Sequence, residues 1–412
     1  MSISPCKLQG EVKAPSSKSV AHRAIICASL ANGKSVVSNV SFSDDIIATI
    51  ECMKALGAKI ERSGDKLVIE GSSKRINKDL TFDCNESGST LRFMIPIALA
   101  LNSGKNEFIG RGKLGTRPLD VYEKICREQG IAYENNSDGG LLKLRVKGQL
   151  KSGKFNVDGG VSSQFITGLA FALPLLEGYS EISIEGELQS VGYLDLTVAT
   201  LKDFAIKIKY KDQKGYVIQG RQEYKACDYE VEGDWSQAAF FEVANYLGDE
   251  IEIKGLRADS KQGDKVIVDF IKRLKDAKEE DTLVFDCGNC PDIVPELALA
   301  CALRKGKSEI VNVSRLRIKE CDRLSATVDE LKKLGADIKE ENDNIYIVGV
   351  DKLNGGAVST HGDHRMAMTL AIAATRTTGN VELDNYTCVS KSYPNFFDVF
   401  RALKGKTALK DN

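Results

Sequence analysis

Histidine, tryptophan and aromatic residues in general are scarce in this sequence. Its 412 residues include three histidines and one tryptophan, and aromatic residues make up 7%. So few aromatic side chains argue against a surface on which nucleic acid bases stack. The formal net charge of -1 argues against a protein that coats nucleic acid, because such proteins usually carry a strongly basic domain. Any cationic site must therefore be local.

Long apolar runs are missing as well. The most apolar stretches, residues 93–101 and 166–176, fall short of the roughly 18 residues that a membrane span requires. The eleven cysteines are irregularly spaced, and the chain does not begin with a basic and then apolar signal. These features predict a cytoplasmic protein with reduced thiols and no membrane contact.

The common nucleotide and nucleophile motifs are absent or incomplete. There is no GxxxxGK[ST] loop and no GxSxG turn. Residues 110–115 match GxGxxG, but Pro118 places the next helix after the glycines, which predicts a basic loop rather than a nicotinamide site. Cys287 and Cys290 have CxxC spacing without a second pair, which favours buried thiols, although a redox pair stays open. His364 is a possible metal ligand, but the positive charge of the adjacent Arg365 would repel a metal cation, so we predict no metal site.

A repeated pattern organises the whole chain. Six times, an apolar run of helical length is followed by a glycine and a β-branched run; the glycines are Gly33, Gly104, Gly178, Gly248, Gly306 and Gly379. A glycine there suits a helix C-cap, and the run after it suits a strand. Residues 44–71 also align without gaps on residues 322–349, and both stretches predict an amphipathic helix followed by a hairpin. We predict an α/β protein of six units of about 69 residues, three in each of two domains.

Cations stand at the beginnings of the apolar helices. Serine, threonine and aspartate cap these helices, but Lys18, Arg23, Arg92 and Arg365 lie within a turn of the same ends, where a positive charge is unfavourable for the helix. Such a placement in several units indicates an anionic ligand. We therefore expect the two domains to enclose a cationic cleft that binds a small polyanion.

Seven ordered motifs resemble the enolpyruvyl transferase family, and specifically the 3-phosphoshikimate 1-carboxyvinyltransferases, or EPSP synthases. They are SSKSVAHRA from Ser16, SGSTLRF around Gly88, TRPLD at Arg117, SSQF at Ser162, KECDR at Lys319, GDHRMAM at Asp363 and SKSYPNFF at Lys391. The resemblance implies a two-domain inverse α/β barrel of six βαβαββ units. It places the domains at 15–231 and at 1–14 plus 232–412, with a double hinge near Ala14 and Val231.

The resemblance also implies a reaction. The enolpyruvyl group of phosphoenolpyruvate moves to the 5-hydroxyl of 3-phosphoshikimate, in the pathway to chorismate and the aromatic amino acids, without metal or organic cofactor. The two substrates are then the partners of a monomeric enzyme, and glyphosate is expected to compete at the phosphoenolpyruvate subsite beside Gly88.

Site residues carry over position by position. The resemblance assigns 3-phosphoshikimate to Lys18, Ser19, Arg23, Ser162, Ser163, Gln164, Ser190, Tyr193, Asp292 and Lys319. It assigns phosphoenolpyruvate to Lys18, Gly88, Arg117, Gln164, Arg323, Arg365 and Lys391. Catalysis falls to Asp292, Glu320, Lys391 and Lys18, with Asp292 kept ionised by the surrounding cations. Arg315 stands where many members have an asparagine, so we leave it out of the site and expect a solvated surface charge.

Two alternatives remain at this point. The related UDP-N-acetylglucosamine 1-carboxyvinyltransferases usually carry a reactive cysteine in the loop that here spans residues 110–117, and an asparagine after the helix lysine. This loop has no cysteine, and Ser19 follows Lys18. The alternative from other classes is a repeat scaffold without activity, or an RNA-end-processing enzyme of related architecture. A scaffold does not explain cations kept in four separate units, and the near-zero net charge and few aromatic residues count against RNA.

Overall fold

The chain divides into two compact units, seen in a computed structural model that describes residues 1–160, 162–186, 191–211 and 215–409. The central unit is Ser16–Glu232, and the split unit combines Met1–Pro15 with Gly233–Asn412. Each unit has its own cluster of buried apolar side chains. A hinge between the units stays a prediction.

Among the described residues, the central unit contains six α-helices. They are α1 (Lys18–Leu30), α2 (Asp44–Ala55), α3 (Gly88–Leu101), α4 (Asp120–Gln129), α5 (Ser163–Ala172) and α6 (Val191–Asp203). Helices α1, α3 and α5 are buried nearly all round, since small and apolar residues cover every face. Helix α2 buries Ile46, Ile50 and Met53 at helical spacing and exposes Glu51. Buried and amphipathic helices thus alternate along this unit, as the apolar pattern predicts.

The described residues of the split unit form six more α-helices. They are α7 (Trp235–Tyr246), α8 (Ile267–Asp276), α9 (Val294–Ala302), α10 (Arg323–Lys333), α11 (His364–Ala374) and α12 (Phe396–Ala402). Short 3-10 helices occupy Leu114–Thr116, Leu173–Leu175, Gly263–Val266, Pro291–Ile293, Ser314–Ile318 and Tyr386–Lys391. Within the described ranges, no helix combines the length and the apolar character needed to cross a membrane.

Three four-stranded sheets belong to the central unit. In spatial order, the strands of the first are Tyr229–Glu230, Gly33–Ser38, Lys66–Gly71 and Lys59–Ser63. Those of the second are Leu80–Asp83, Lys105–Gly110, Leu142–Lys147 and Ala132–Asn135. Those of the third are Lys154–Asp158, Tyr179–Glu185, Gly215–Gln219 and Lys209–Tyr210. In each sheet the first pair is parallel and the other two pairs are antiparallel.

The split unit has two four-stranded sheets with the same order of pairings, and a parallel pair of strands. The first sheet contains Thr282–Asp286, Lys307–Val311, Asn344–Val348 and Asp337–Glu341. The second contains Gly356–Val358, Val381–Leu383, Ser2–Ser4 and Lys406–Ala408. Glu250–Lys254 pairs with Gln9–Lys13. Over the described residues, the protein is therefore an α/β protein with six small mixed or parallel sheets.

The predicted helix and hairpin pattern is confirmed in both aligned stretches. Helix α2 is followed by the hairpin Lys59–Ser63 and Lys66–Gly71, and helix α10 by the hairpin Asp337–Glu341 and Asn344–Val348. Gly57 and Gly335, with φ of 114° and 89°, end the two helices directly after their caps. Backbone with positive φ favours glycine, which explains why both helices stop at the same aligned position.

The C-cap role expected for the six repeat glycines is wrong for most of them. Only Gly248, with φ of 105°, directly follows a helix cap, that of α7. Helix α1 ends at Leu30, three residues before Gly33, and helix α3 has Asn102 as its cap. At Gly104 the reason for glycine is contact with a neighbouring segment, since a Cβ there would lie 2.1 Å from the backbone oxygen of Lys78.

Candidate active site

The buried helices begin where the sequence predicts, and side chains cap five of them. Ser17, Ser87, Ser162, Asp234 and Asp363 each accept a hydrogen bond from a backbone N–H of the first turn that follows. The remaining buried helix, α9, continues from the 3-10 helix Pro291–Ile293. Each cap accepts a hydrogen bond from a backbone N–H that would otherwise be unpaired at the helix end. The helices therefore do not need the nearby cations in order to form.

Arg23 is the most deeply buried cation of the central unit. Its Nε donates to Thr197 Oγ1 at 2.9 Å, Nη1 to the backbone oxygen of Ser19 at 2.6 Å, and Nη2 to the backbone oxygen of Tyr193 at 2.9 Å. Burial lowers the pKa of Arg23 to about 10, so the guanidinium stays charged at neutral pH. The described bonds all go to uncharged oxygens, which leaves its positive charge to act on an anion. Lys18 instead pairs with Asp45 at 2.8 Å.

Gln164 is held by two residues of helix α3. Arg92 Nη1 donates to Gln164 Oε1 at 2.8 Å, and Gln164 Nε2 donates to Ser89 Oγ at 2.9 Å. Arg92 Nη2 also donates to the backbone oxygen of Pro118 at 3.1 Å. Arg92 therefore fixes the amide of a predicted site residue and the loop that follows Arg117, a role that its position at a helix start could not show.

Gly88 leaves space for two guanidinium groups. A Cβ at this first residue of α3 would lie 2.4 Å from Arg117 Nη1 and 3.4 Å from Arg92 Nη1. Any side chain at position 88 would thus displace Arg117. Ser162 caps α5 and Ser163 begins it, so both predicted residues lie at one helix end. Ser190, also predicted for 3-phosphoshikimate, lies outside the described residues.

Asp292 is the centre of the predicted residues in the split unit. Its Oδ1 accepts from Lys319 Nζ at 3.2 Å and from Arg323 Nη1 at 3.0 Å, and its Oδ2 lies 3.6 Å from Arg365 Nη2. Burial alone would raise the pKa of Asp292, but the positive charges of Lys319, Arg365 and Arg323 outweigh it and hold the pKa well below its usual value. This direction agrees with the ionised carboxylate expected from the sequence, which stays a prediction.

Arg323 links the predicted catalytic groups to each other. It is fully buried, and besides Asp292 it contacts Glu320 Oε2 at 2.6 Å and Asp363 Oδ2 at 2.9 Å. Burial would lower the pKa of Arg323, but the three carboxylates raise it well above its ordinary value, so the charge is permanent. Lys391 Nζ lies 3.9 Å from Glu320 Oε1. The structure thus brings all the predicted residues of the split unit into one network.

Two expectations about residues beside this network have different outcomes. Cys287 and Cys290 are both buried free thiols, as predicted. Arg315 is not the solvated surface charge that we expected: it is half-buried, with its Nε enclosed, and its charge contributes to a lowered pKa of Lys319, whose main cause is burial. The local sequence gives no sign of this, because the enclosure comes from the fold around residues 314–318.

The structure also describes the surroundings of the dinucleotide fingerprint and of the possible metal ligands. Helix α4 begins at Asp120, after the glycines of residues 110–115, so the dinucleotide fingerprint lacks the helix start that it needs. Among the residues that the structure describes, no three His, Cys, Asp or Glu side chains are grouped to hold a metal ion.

Comparison with known proteins matches the chain to one family. The family model for EPSP synthase (3-phosphoshikimate 1-carboxyvinyltransferase) covers residues 4–400. The chain belongs to the EPSP synthase family. The 3-phosphoshikimate 1-carboxyvinyltransferase of Clostridium beijerinckii is 50% identical over 426 residues, which cover 98% of this chain and 97% of the relative. That of Clostridioides difficile is 50% identical over 430 residues, covering 98% of each.

A solved structure supports the fold independently of close sequence similarity. EPSP synthase from Acinetobacter baumannii superposes with a TM-score of 0.77 at 22% identity, covering 98% of this chain and 97% of that one. The six-sheet α/β architecture is therefore that of an EPSP synthase.

Proposed function

We propose that the chain carries out the EPSP synthase reaction with the two sets of residues described above. Its membership of the family and its 50% identity to named relatives along nearly the whole chain make it a transferase of the shikimate pathway. The enolpyruvyl group of phosphoenolpyruvate passes to the 5-hydroxyl of 3-phosphoshikimate, giving 5-enolpyruvylshikimate 3-phosphate and phosphate. The 50% identity to 3-phosphoshikimate 1-carboxyvinyltransferases supports 3-phosphoshikimate, and not UDP-N-acetylglucosamine, as the acceptor.

The proposed contacts follow from charge. Two phosphates and two carboxylates need several cations, and arginine can hold either group with two parallel hydrogen bonds. For 3-phosphoshikimate we propose Lys18, Ser19, Arg23, Ser162, Ser163, Gln164, Ser190, Tyr193, Asp292 and Lys319. For phosphoenolpyruvate we propose Lys18, Gly88, Arg117, Gln164, Arg323, Arg365 and Lys391. The uncharged partners of Arg23 and the space at Gly88 support these assignments.

The contacts of Asp292 with Lys319, Arg323 and Arg365 are the observation that carries the proposed mechanism, and these cations hold the pKa of Asp292 well below its usual value. Asp292 accepts the proton of the 5-hydroxyl as that oxygen bonds to C2 of phosphoenolpyruvate. The methylene carbon C3 takes up a proton from the pair formed by Lys391 and Glu320, which gives a tetrahedral intermediate. The intermediate then loses phosphate from C2 and a proton from C3. The pair of Lys391 and Glu320 receives the proton from C3, and Asp292 returns the hydroxyl proton to the departing phosphate. Arg323 holds Asp292 and Glu320 in place through both steps.

Some finer features remain part of this proposal. We propose that the six sheets belong to six βαβαββ units of an inverse α/β barrel, three in each domain, and that the double hinge lies near Ala14 and Val231. A monomeric state and a cytoplasmic location are predictions from the sequence.

Replacing Asp292 with asparagine tests the mechanism. We expect Asp292→Asn to lower kcat by about 100-fold or more, because the amide cannot accept the proton. Phosphate release with 3-phosphoshikimate and phosphoenolpyruvate is the assay, and calorimetric titration with 3-phosphoshikimate checks that binding survives. Asp269→Asn, at an exposed position of α8, is the matched control. An unchanged kcat would remove Asp292 from the role of base.

A further inference from the structure

Glu296 is a buried carboxyl that none of the proposed substrate contacts uses. It lies in the first turn of α9, and 0% of its surface is exposed. Apart from its own backbone N–H, no group in the described part of the chain donates a hydrogen bond to either carboxyl oxygen. A carboxyl is costly to bury in this way, and an apolar side chain would fill the space without that cost. The position therefore calls for an explanation other than packing.

The nearest cation to Glu296 is Arg365, which is one of the proposed phosphoenolpyruvate contacts. Glu296 Oε1 lies 4.0 Å from Arg365 Nη1, too far for a hydrogen bond but close enough for strong electrostatic attraction. The same Nη1 donates to the backbone oxygen of Asp292 at 2.8 Å. Arg365 is thus held by Asp292, and the same guanidinium nitrogen lies near Glu296.

Few other charges act on Glu296. Helix α11 contributes Arg365, α10 contributes Arg323, and the 3-10 helix Gly263–Val266 contributes Asp264. Helix α7 and the 3-10 helix Pro291–Ile293 also pack against α9, and they carry the acidic side chains of Glu242 and Asp292. Burial raises the pKa of Glu296 to about 8, because the two arginines offset the desolvation of a carboxylate only in part. At neutral pH Glu296 is therefore mainly a neutral acid, and the charge of Arg365 is not cancelled by it.

We propose that Glu296 is a positioning residue that sets how strongly Arg365 holds phosphoenolpyruvate. As a neutral acid it leaves the positive charge of Arg365 to the anionic substrate, and as a carboxylate it competes with the substrate for that charge. This rests on the proposed contact between phosphoenolpyruvate and Arg365. No proton moves between Glu296 and the substrate, so Glu296 takes no part in the chemical step.

The test compares wild type with Glu296→Gln, which has nearly the same shape and cannot ionise. KM for phosphoenolpyruvate and kcat are measured from pH 6.5 to pH 9 at saturating 3-phosphoshikimate. We expect the ratio of wild-type KM to variant KM to stay near its low-pH value up to pH 7 and to rise about tenfold by pH 9, as one proton is lost around pH 8. The kcat ratio should stay constant. Titration of the substrate and of the lysines affects both enzymes and cancels in the ratio.

A ratio of KM values that does not change with pH would overturn the proposal, because a merely structural role shifts KM equally at every pH. Glu280→Gln, at an exposed position of the same unit, is the control and should follow wild type throughout. If Glu296→Gln does not fold, Glu296→Met gives the same comparison without a buried amide.

The variant Arg365→Gln separates this proposal from the proposed function. If Arg365→Gln leaves KM for phosphoenolpyruvate unchanged, the assignment of Arg365 is wrong and the inference fails with it. If Arg365→Gln raises KM but Glu296→Gln shows no change with pH, only the inference fails. In the Arg365→Gln background, adding Glu296→Gln should produce no pH-dependent change in KM, and a persistent change would show that Glu296 acts through another group.

Discussion

Replacing Glu296 with glutamine should remove a pH-dependent loss of stability from the folded protein. Burial raises the pKa of Glu296 from 4.5 to about 8. At a pH between these two pKa values, the Glu296 side chain is deprotonated in the unfolded chain and protonated in the folded chain. Because the folded state then binds more protons, the free energy of unfolding falls as the pH rises.

The size of the effect follows from one proton. Each pH unit between the two pKa values lowers the free energy of unfolding by about 1.4 kcal/mol. From pH 5.5 to pH 7.5, Glu296 should therefore cost the wild type about 3 kcal/mol that Glu296→Gln does not lose. The absolute difference at one pH also contains the cost of burying an amide, so the change of the difference with pH is the quantity to measure.

Urea unfolding at several pH values is a suitable assay, followed by the fluorescence of Trp235. This is the only tryptophan, and it lies in the same unit as Glu296. The control Glu280→Gln should remain parallel to wild type. Asp264, whose pKa burial raises to about 6, titrates in both proteins, and it interacts with Glu296, so the slopes are best compared between pH 6.5 and 7.5.

Two results would refute the reasoning. A difference between Glu296→Gln and wild type that stays constant from pH 5.5 to 7.5 means that Glu296 is ionised in the folded protein, held by Arg365 as a salt bridge. A difference that shrinks as the pH rises means that Glu296 is not the group whose proton the folded state keeps, because a raised pKa can only widen the difference. Either result would also contradict the neutral acid on which the KM prediction depends.

Three further substitutions test other parts of the structure. Gly71→Ala should destabilise the fold by roughly 1–3 kcal/mol in urea unfolding, because its Cβ would lie 2.2 Å from a backbone oxygen of α1 that cannot move away; an unchanged midpoint would contradict the close approach. Gly88→Ala should keep the fold but raise KM for phosphoenolpyruvate and weaken inhibition by glyphosate, each roughly tenfold, by displacing Arg117; equal inhibition of both forms would count against this subsite. Tyr122→Phe should cost about 1 kcal/mol of stability, because the hydroxyl donates to the backbone of α3 at 2.5 Å; no loss would mean that the bond contributes nothing net.

The parts of the fold that sequence could predict are those set by local rules. The helix and hairpin pattern depends on apolar spacing and on a glycine at positive φ, and both are visible within residues 44–71. The C-cap role is wrong at Gly104 because the reason for that glycine is tertiary: it is required by a backbone oxygen of Lys78, which lies 26 residues earlier in the chain.

The site shows the same division between local and tertiary information. Cations at helix starts oppose helix stability, so Lys18 and Arg365 could be singled out from the sequence alone. Their partners could not. Asp45 lies in the first turn of an amphipathic helix and Glu296 in an apolar one, where acidic residues have ordinary helical explanations, and only the fold brings them to Lys18 and Arg365.

The positions of these acidic partners explain how the net charge can be nearly neutral in a protein whose site is rich in cations. The acidic residues that balance the cations do not all lie elsewhere on the surface, since Asp292 and Glu320 contact Lys319, Arg323 and Lys391 directly. An anionic substrate must then compete with built-in carboxylates for the same positive charges, which weakens ground-state binding. The same carboxylates are the groups that accept and return protons during the proposed reaction. A site of free cations would bind the substrates more tightly, but it would have no base beside the 5-hydroxyl and no acid pair beside the methylene carbon.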